Sequence, residues 1–441
     1  MDRQAVGYLR TLVFAALLGL PVAAAAVLFQ TAIHDVIHFV WEVVPEWLDW
    51  TEPAGWYVVV VTGLAGVAVA LFIRLPGHGG HTPLEGISVG EVRALDLPGI
   101  LLAALATLGG GLVLGPEAPL IALGLGLAAI AVRLVRLAEN EAKLLTLAGA
   151  FAAIAALFGG PLAASLMLLE LVAVSGMIPA AMIVRALLPG LVAAGTGALV
   201  FTGIGDWKGM HVSSLSLPPL PAYDTVRLAD VAWCLVLSVL VAVVVVGLRQ
   251  IAHQLAARSS ARPDVALVVA GVLVGALAVL FRAIADRPID LVLFSGQDAL
   301  PGIVAEGTAW VLLLLVAAKG LAYALSLGAA FRGGPVFPAI ALGVAVGVMG
   351  ADVLPGLDLT PAVAMGIAAG TAAVLRAPFT AVLLATLLLG SSAVEVTPIA
   401  VLAAATGWLV ATALPTPEDR RSGEPSHAPV REDDAADADR D

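Results

Sequence analysis

Apolar residues in this chain gather in long continuous runs, not in the alternating or one-faced patterns of half-buried strands and amphipathic helices. The first run covers roughly residues 12–33, after a short stretch carrying Arg3 and Arg10. Others lie near residues 57–75, 97–115, 118–137, 143–158, 161–174, 178–204, 228–255, 264–284, 303–330, 335–351, 361–375, 377–390 and 395–414. Such runs predict α-helices inside a bilayer, yet many fall short of the ~20 residues that a full span requires. Several meet at Gly and Pro: Gly115-Pro116, Gly159-Gly160-Pro161, Gly333-Gly334-Pro335 and Ala377-Pro378. Irregular backbone at membrane depth is tolerated only where protein buries it or where it lines a cavity. The pattern therefore predicts many short, broken or tilted helices around a pathway. Residues 34–56 interrupt the hydrophobicity with Trp41, Trp47, Trp50, Trp56, Tyr57 nearby and several acids, which predicts an interfacial loop with an aromatic belt.

Composition turns this reading into a class. Of 441 residues, 60% are hydrophobic and 12% charged, against the roughly 25% charged share of soluble domains. So few charges cannot cover the surface of a soluble protein. The chain is expected to be an all-α polytopic protein of the cell membrane, with the lipid bilayer as its surroundings. The first run is long for the apolar part of a signal peptide, so it reads as a retained N-terminal helix. The one cysteine, Cys234, permits no internal disulfide. Neither a Cys/His metal spacing nor a phosphate-binding loop is present, so no cofactor or metal is expected. From Pro415 onward nine Asp/Glu and four Arg give −5 of the net −11. That stretch, 415–441, reads as a disordered acidic tail, and nothing supports a nucleic-acid partner.

The sequence also repeats itself. Gly115-Pro-Glu-Ala-Pro-Leu-Ile-Ala-Leu-Gly124 and Gly334-Pro-Val-Phe-Pro-Ala-Ile-Ala-Leu-Gly343 share seven of ten residues at an offset of 219. Gly149 matches Gly366 and Pro161 matches Pro378, both at an offset of 217. Two structural halves follow, residues 54–204 and 264–414. An N-terminal helix and loop (1–53) precede them, and a connecting loop and helix (205–263) lies between. Broken helices at matching places in two halves point to a binding site near the bilayer midplane. Segment parity leaves open whether the halves are parallel or inverted.

Glu117 stands between two prolines and two apolar runs. An ionisable residue there is costly and marks a functional site by default. A helix can start just after it, and a helix N-terminus attracts anions. A carboxylate at that spot can occupy the anion's place when ionised and leave it when protonated. The matching residue of the second half is Val336, followed by Phe337. That half would offer backbone amides and an apolar wall.

These residues carry a resemblance. Gly109-Gly-Gly-Leu-Val-Leu-Gly-Pro-Glu-Ala-Pro119 is similar to the gating-glutamate motif of the CLC chloride channel and chloride/proton antiporter family. Phe331-Arg-Gly-Gly-Pro-Val-Phe-Pro338 resembles its second signature, and Leu375-Arg-Ala-Pro-Phe-Thr380 the segment that follows. Phe158-Gly-Gly-Pro-Leu-Ala-Ala164 also fits, as does Gly77-His-Gly-Gly-His-Thr-Pro-Leu-Glu-Gly86 at the family's serine-bearing loop. The ordered set spans roughly residues 55–414. It implies an inverted-repeat helical fold, a homodimer with one anion pathway per subunit, and Glu117 as the gate that competes with chloride. Gly79, Gly80, Gly115, Ala118, Val336 and Phe337 fall at anion-binding positions.

The departures bear on mechanism. The family's central serine falls on Gly79 or Gly80, leaving His78 and His81 as neighbouring donors. Pro116 and Pro335 lack the amide hydrogen expected there. Val336 replaces the signature Phe. The inner proton-transfer glutamate falls on Leu171, with Glu170 beside it as a possible relay or as an interhelix pair. No inner-gate tyrosine and no regulatory CBS domains are matched, which suggests a divergent bacterial-type branch. Arg185, Lys319, Arg332 and Arg376 read as snorkelling or helix-capping cations, with Arg332 the one best placed to concentrate anions. The predicted function is passage of small inorganic anions, chloride first, uncoupled or weakly coupled to protons. The alternatives are a chloride/proton antiporter using Glu170 and a fluoride-selective relative. An intramembrane hydrolase is the remote one, since Ser165 and Ser175 have no nearby histidine.

Overall fold

A computed structural model describes residues 3–86, 90–135, 137–175, 180–210 and 217–414. The predicted acidic tail lies outside them, as do residues 211–216 of the connection. The helices are α1 (Arg3–His38), α2 (Val44–Trp47), α3 (Gly55–Phe72), α4 (Leu97–Gly109), α5 (Glu117–Val135), α6 (Glu139–Phe158), α7 (Pro161–Ser175), α8 (Ala180–Thr202), α9 (Leu228–Ser259), α10 (Pro263–Ala285), α11 (Leu300–Ala305), α12 (Ala309–Gly328), α13 (Val336–Val353), α14 (Leu359–Leu375), α15 (Pro378–Leu389) and α16 (Ala393–Ala413). Among the described residues ten helical stretches are long and apolar enough to cross a membrane. The helices near 94–109, 161–174, 359–375 and 378–389 are shorter.

The breaks fall where the backbone chemistry demands them. Gly159, at φ 66°, ends α6 in the left-handed conformation, and Pro161 opens α7. Arg376, at φ 54°, does the same for α14 ahead of Pro378. Proline suits a first helical turn because its missing N–H has no acceptor there. One expectation fails. Residues 34–47 are not a loop, because the first helix continues through a π-turn at Phe39–Val43 into α2. Trp41 explains it: the ring is buried and its Nε1–H donates to Gly109 O at 2.9 Å, so this stretch packs inward.

Two sets of helices share one packing plan. α1 lies against α4, α5, α6 and α8, and α9 lies against α12, α13, α14 and α16 in the same relation. Within each set the successive partners are α5 with α6, then α13 with α14. α3 and α10 pack on one another and run antiparallel. Arg74, past the C-terminal end of α3, bonds Asp264 at the start of α10 at 2.7 Å. At the other end Arg282 of α10 donates to Pro53 O, just before α3, at 2.8 Å. Equivalent helices that meet head to tail relate the two sets by an axis in the membrane plane. The repeats are inverted.

The repeated glycines explain the closest contacts. A Cβ on Gly124 would strike the Gly149 carbonyl, and one on Gly149 would strike that of Gly124. Gly343 and Gly366 block one another in the same way. Small residues are what let membrane helices approach to backbone contact. α13 and α14 are buried on nearly every side, whereas α1, α3, α9 and α10 present large apolar side chains outward, as lipid contact requires.

Candidate functional site

The site forms where the two halves cross. After α4 and after α12 the chain reverses through a residue in the left-handed region, Gly111 at φ 85° and Ala330 at φ 63°. Each returning strand is then pinned by a hydroxyl of the opposite half. The Val113 N–H donates to Ser326 Oγ and the Arg332 N–H donates to Thr107 Oγ1, both at 3.1 Å. Gly115 and Gly334 exchange N–H···O bonds of 2.7 and 2.6 Å. Side chains are excluded at the crossing, because a Cβ on either glycine would collide with the Glu117 carboxyl. α5 and α13 then begin at Glu117 and Val336. Thr107 and Ser326 keep the 219-residue offset, so the repeat itself carried the signal for them.

Glu117 is fully buried, and its Oε1 accepts the Val336 N–H at 2.6 Å. Its Oε2 has no hydrogen-bond partner among the described residues. The carboxylate of one half thus sits on the first amide of the opposite helix, where the dipole favours negative charge. Phe337 closes one wall, its ring 5.9 Å from that of Phe158. The Tyr323 hydroxyl, fully buried on α12, donates to Pro335 O at 2.9 Å and holds the start of α13 in place. Sequence reasoning missed Tyr323, since a single Tyr in an apolar run carries no pattern. The Gly115 N–H is taken by Gly334 and is not available to an anion.

Ala118 faces a second feature. A small cavity of about 40 Å³ is lined by Gly79, Gly80, His81, Ala118, Arg332 and Gly333, among others. Gly79 and Gly80 both have positive φ (73° and 79°). Arg332 is 8% exposed, and its Nη2 donates to His78 O at 2.8 Å. Its Nε and Nη1 have no partner among the described residues. His81 lines the cavity, and His78 contributes its carbonyl.

Glu170 stands apart from Glu117's amide. Its carboxylate accepts the Phe379 N–H at 2.9 Å, the Thr380 N–H at 2.5 Å and the Thr380 hydroxyl at 2.7 Å. It caps the N-terminus of α15 from α7, while Leu171 beside it is buried. Lys319 corrects the snorkelling expectation. It lies within α12, 1% exposed, and its Nζ donates to the carbonyls of Val292 and Leu293, each at 3.1 Å. Arg376 does cap, donating to Ala411 O at 3.1 Å.

The chain is similar to known proteins over most of its length. The model of the voltage gated chloride channel family matches residues 83–412. Similar proteins include the putative ion-transport protein YfeO of Salmonella schwarzengrund (strain CVM19633), 32% identical over 324 residues, 70% of this chain and 73% of that one. YfeO of Escherichia fergusonii is 31% identical over 332 residues, covering 72% and 73%. Among solved structures, a slow cyanobacterial Cl⁻/H⁺ antiporter superposes with a TM-score of 0.72 at 20% identity, over 98% of this chain and 99% of that one. A CLC-type fluoride/proton antiporter gives 0.69 at 19% identity, over 93% and 96%. The chain belongs to the voltage-gated chloride channel family, and it is a multi-pass membrane protein of anion transport.

Proposed function

We propose that this member of the family passes small inorganic anions, chloride foremost, along a path that Glu117 closes, with little or no proton coupling. One observation carries the gate. The Glu117 carboxylate is sealed from solvent and seated on the Val336 N–H, the place an anion would take at that helix start. Ionised, the side chain competes with the anion for this amide. Protonated, it has less reason to stay, and the path opens. Val336 and Phe337 then present the anion with an amide and an apolar wall. The working unit in this reading is a homodimer with one path per subunit.

Orientation follows from charge. Arg10, Arg74, Arg93, Arg258 and Arg262 lie on the side of the α1 N-terminus, because α1 crosses out and α3 returns: the Tyr57 hydroxyl at the start of α3 donates to Val40 O, past the end of α1. The excess of Lys and Arg on that side makes it cytoplasmic.

A chloride/proton antiporter is the second reading, since that is how a solved protein of like fold is described. It would need an inner acid free to load protons. Glu170 is instead engaged by three donors of α15, which favours the structural role and therefore weak coupling.

Purified protein in liposomes tests the proposal through anion efflux with simultaneous pH recording. Chloride efflux without matching proton movement is expected. No efflux above empty liposomes sinks the proposal, and uphill proton uptake driven by a chloride gradient replaces it with the antiporter.

A further inference from the structure

The inverted repeat makes one cleft twice and fills it once. Where α1 and α4 converge, a Cβ on Gly109 would strike Val36; where α9 and α12 converge, one on Gly328 would strike Leu255. Both pairs keep the 219-residue offset. In the first half Trp41 plugs the cleft. Its buried ring bonds the Gly109 carbonyl and meets Tyr57 of α3 edge to face. The residue at Trp41's place in the second half is Ser260. No aromatic ring lines the second cleft among the described residues, and a groove of about 380 Å³ stays open between α9, α10 and α12.

The groove is apolar along its length and cationic at its mouth. Val265, Val269 and Leu273 stand four residues apart on α10, so they form one stripe, and each is about half exposed. The stripe runs about 12 Å along the helix, most of the ~15 Å hydrocarbon depth of one leaflet. Leu255 and Leu325 make the facing wall. The Ser259 hydroxyl is already spent on the Leu255 carbonyl at 2.7 Å, so water finds little to bond there. Arg258, in the last turn of α9, and Arg262, just before α10, line the same groove. Both are exposed, and neither side chain has an acidic partner among the described residues. The nearby Asp264 is answered by Arg74 at 2.7 Å. Two unneutralised guanidiniums thus stand over an apolar slot. Guanidinium matches phosphate geometry, and basic pockets between membrane helices on the cytoplasmic side take anionic lipid headgroups. The chain's own acidic stretch, 415–441, matches the charge but not the slot, since Val430 is its one large apolar residue.

We infer that this groove binds one anionic phospholipid per subunit, with its phosphate on Arg258 and Arg262 and an acyl chain along α10 between α9 and α12. The inference needs only the membrane fold and does not rest on which anion the protein passes. Headgroup and chain are recognised by different residues, so the two contributions separate on substitution.

The test counts retained lipid by native mass spectrometry after the full-length protein is incubated with phosphatidylglycerol or phosphatidylcholine of the same acyl chains. Wild type should hold one phosphatidylglycerol per subunit with at least about a tenfold preference over phosphatidylcholine. The double variant Arg258→Gln, Arg262→Gln changes two exposed side chains and should bring phosphatidylglycerol down to the phosphatidylcholine level. Ala261→Trp, at an exposed residue that lines the groove, supplies the ring that the first half has and should lower retention of both lipids. A wild type without the preference overturns the inference, whether the groove is then empty or filled by the acidic stretch. A preference that survives loss of both arginines overturns it as well. So does full retention in Ala261→Trp, because the arginines would then act as a diffuse surface charge with no chain in the groove.

Discussion

Replacing Glu117 separates gate from scaffold. In Glu117→Ala the Val336 N–H loses its 2.6 Å carboxylate partner, and a passing anion no longer competes for it. A hydrogen bond to a charged group contributes about 1.5–3 kcal/mol net. Freed for the anion, that amount corresponds to roughly a 10- to 100-fold lower half-saturating chloride concentration. Glu117→Gln keeps a neutral acceptor worth about 0.5–1.5 kcal/mol, so its shift is the smaller, on the order of 10-fold or less. On the proposed gating, flux rises as pH falls, and both variants lose that response with the titrating carboxyl. The assay is chloride efflux from proteoliposomes, with chloride concentration and pH varied independently for the three proteins. The ordering Ala beyond Gln beyond wild type, with both mutant pH profiles flat, is the expected result. A half-saturating concentration unchanged in Glu117→Ala, together with a wild-type pH profile, would refute Glu117 as competitor and gate.

Further outcomes can be checked one by one. Gly343→Ala drives a methyl into the Gly366 carbonyl and should cost about 1–3 kcal/mol in detergent unfolding, with Gly124→Ala similar. Gly195→Ala on α8, which meets nothing within 4 Å, should be neutral or stabilising by up to ~1 kcal/mol. Glu170→Gln places an amide against the N–H groups of Phe379 and Thr380; thermal stability should fall by about 1.5–3 kcal/mol while the pH response of flux is kept, and loss of uphill proton uptake in this variant would make Glu170 the relay. Glu306 lies outside the spans, and its hydrogen bond to Arg287 holds its carboxyl below the usual range. Its stabilisation is present above the ordinary Glu value and is lost as pH falls through the lowered one, so Glu306→Gln should flatten the acid limb of a melting-temperature profile. Finally, crosslinking in native membranes should yield a dimer.

The sequence by itself determined the membrane class, nearly every helix and the duplicated core. Uncharged runs have no other stable home, and Gly-Pro breaks stop helices locally whatever surrounds them. Glu117 was legible for the same reason: burying a carboxyl in an apolar run is too costly to be incidental. The fate of residues 34–47 was not legible, because the inward turn of Trp41 depends on the Gly109 carbonyl of another helix. Whether the repeats are inverted rests on the antiparallel meeting of α3 and α10, which no run length encodes. Glu170 and Leu171 are adjacent in sequence, and only packing shows which of them meets α15 and with how many donors. Lys319 and Arg332 both read along the chain as snorkelling or capping cations, Arg332 set apart only by its place beside the second signature. Tertiary structure buried Lys319 on the carbonyls of Val292 and Leu293 and set Arg332, bonded to the His78 carbonyl, along the wall of a small cavity. Hydrophobicity and backbone breaks act over a few residues and can be read along the chain. The partner of a buried charge is chosen across a distance of some two hundred residues, and only the fold supplies it.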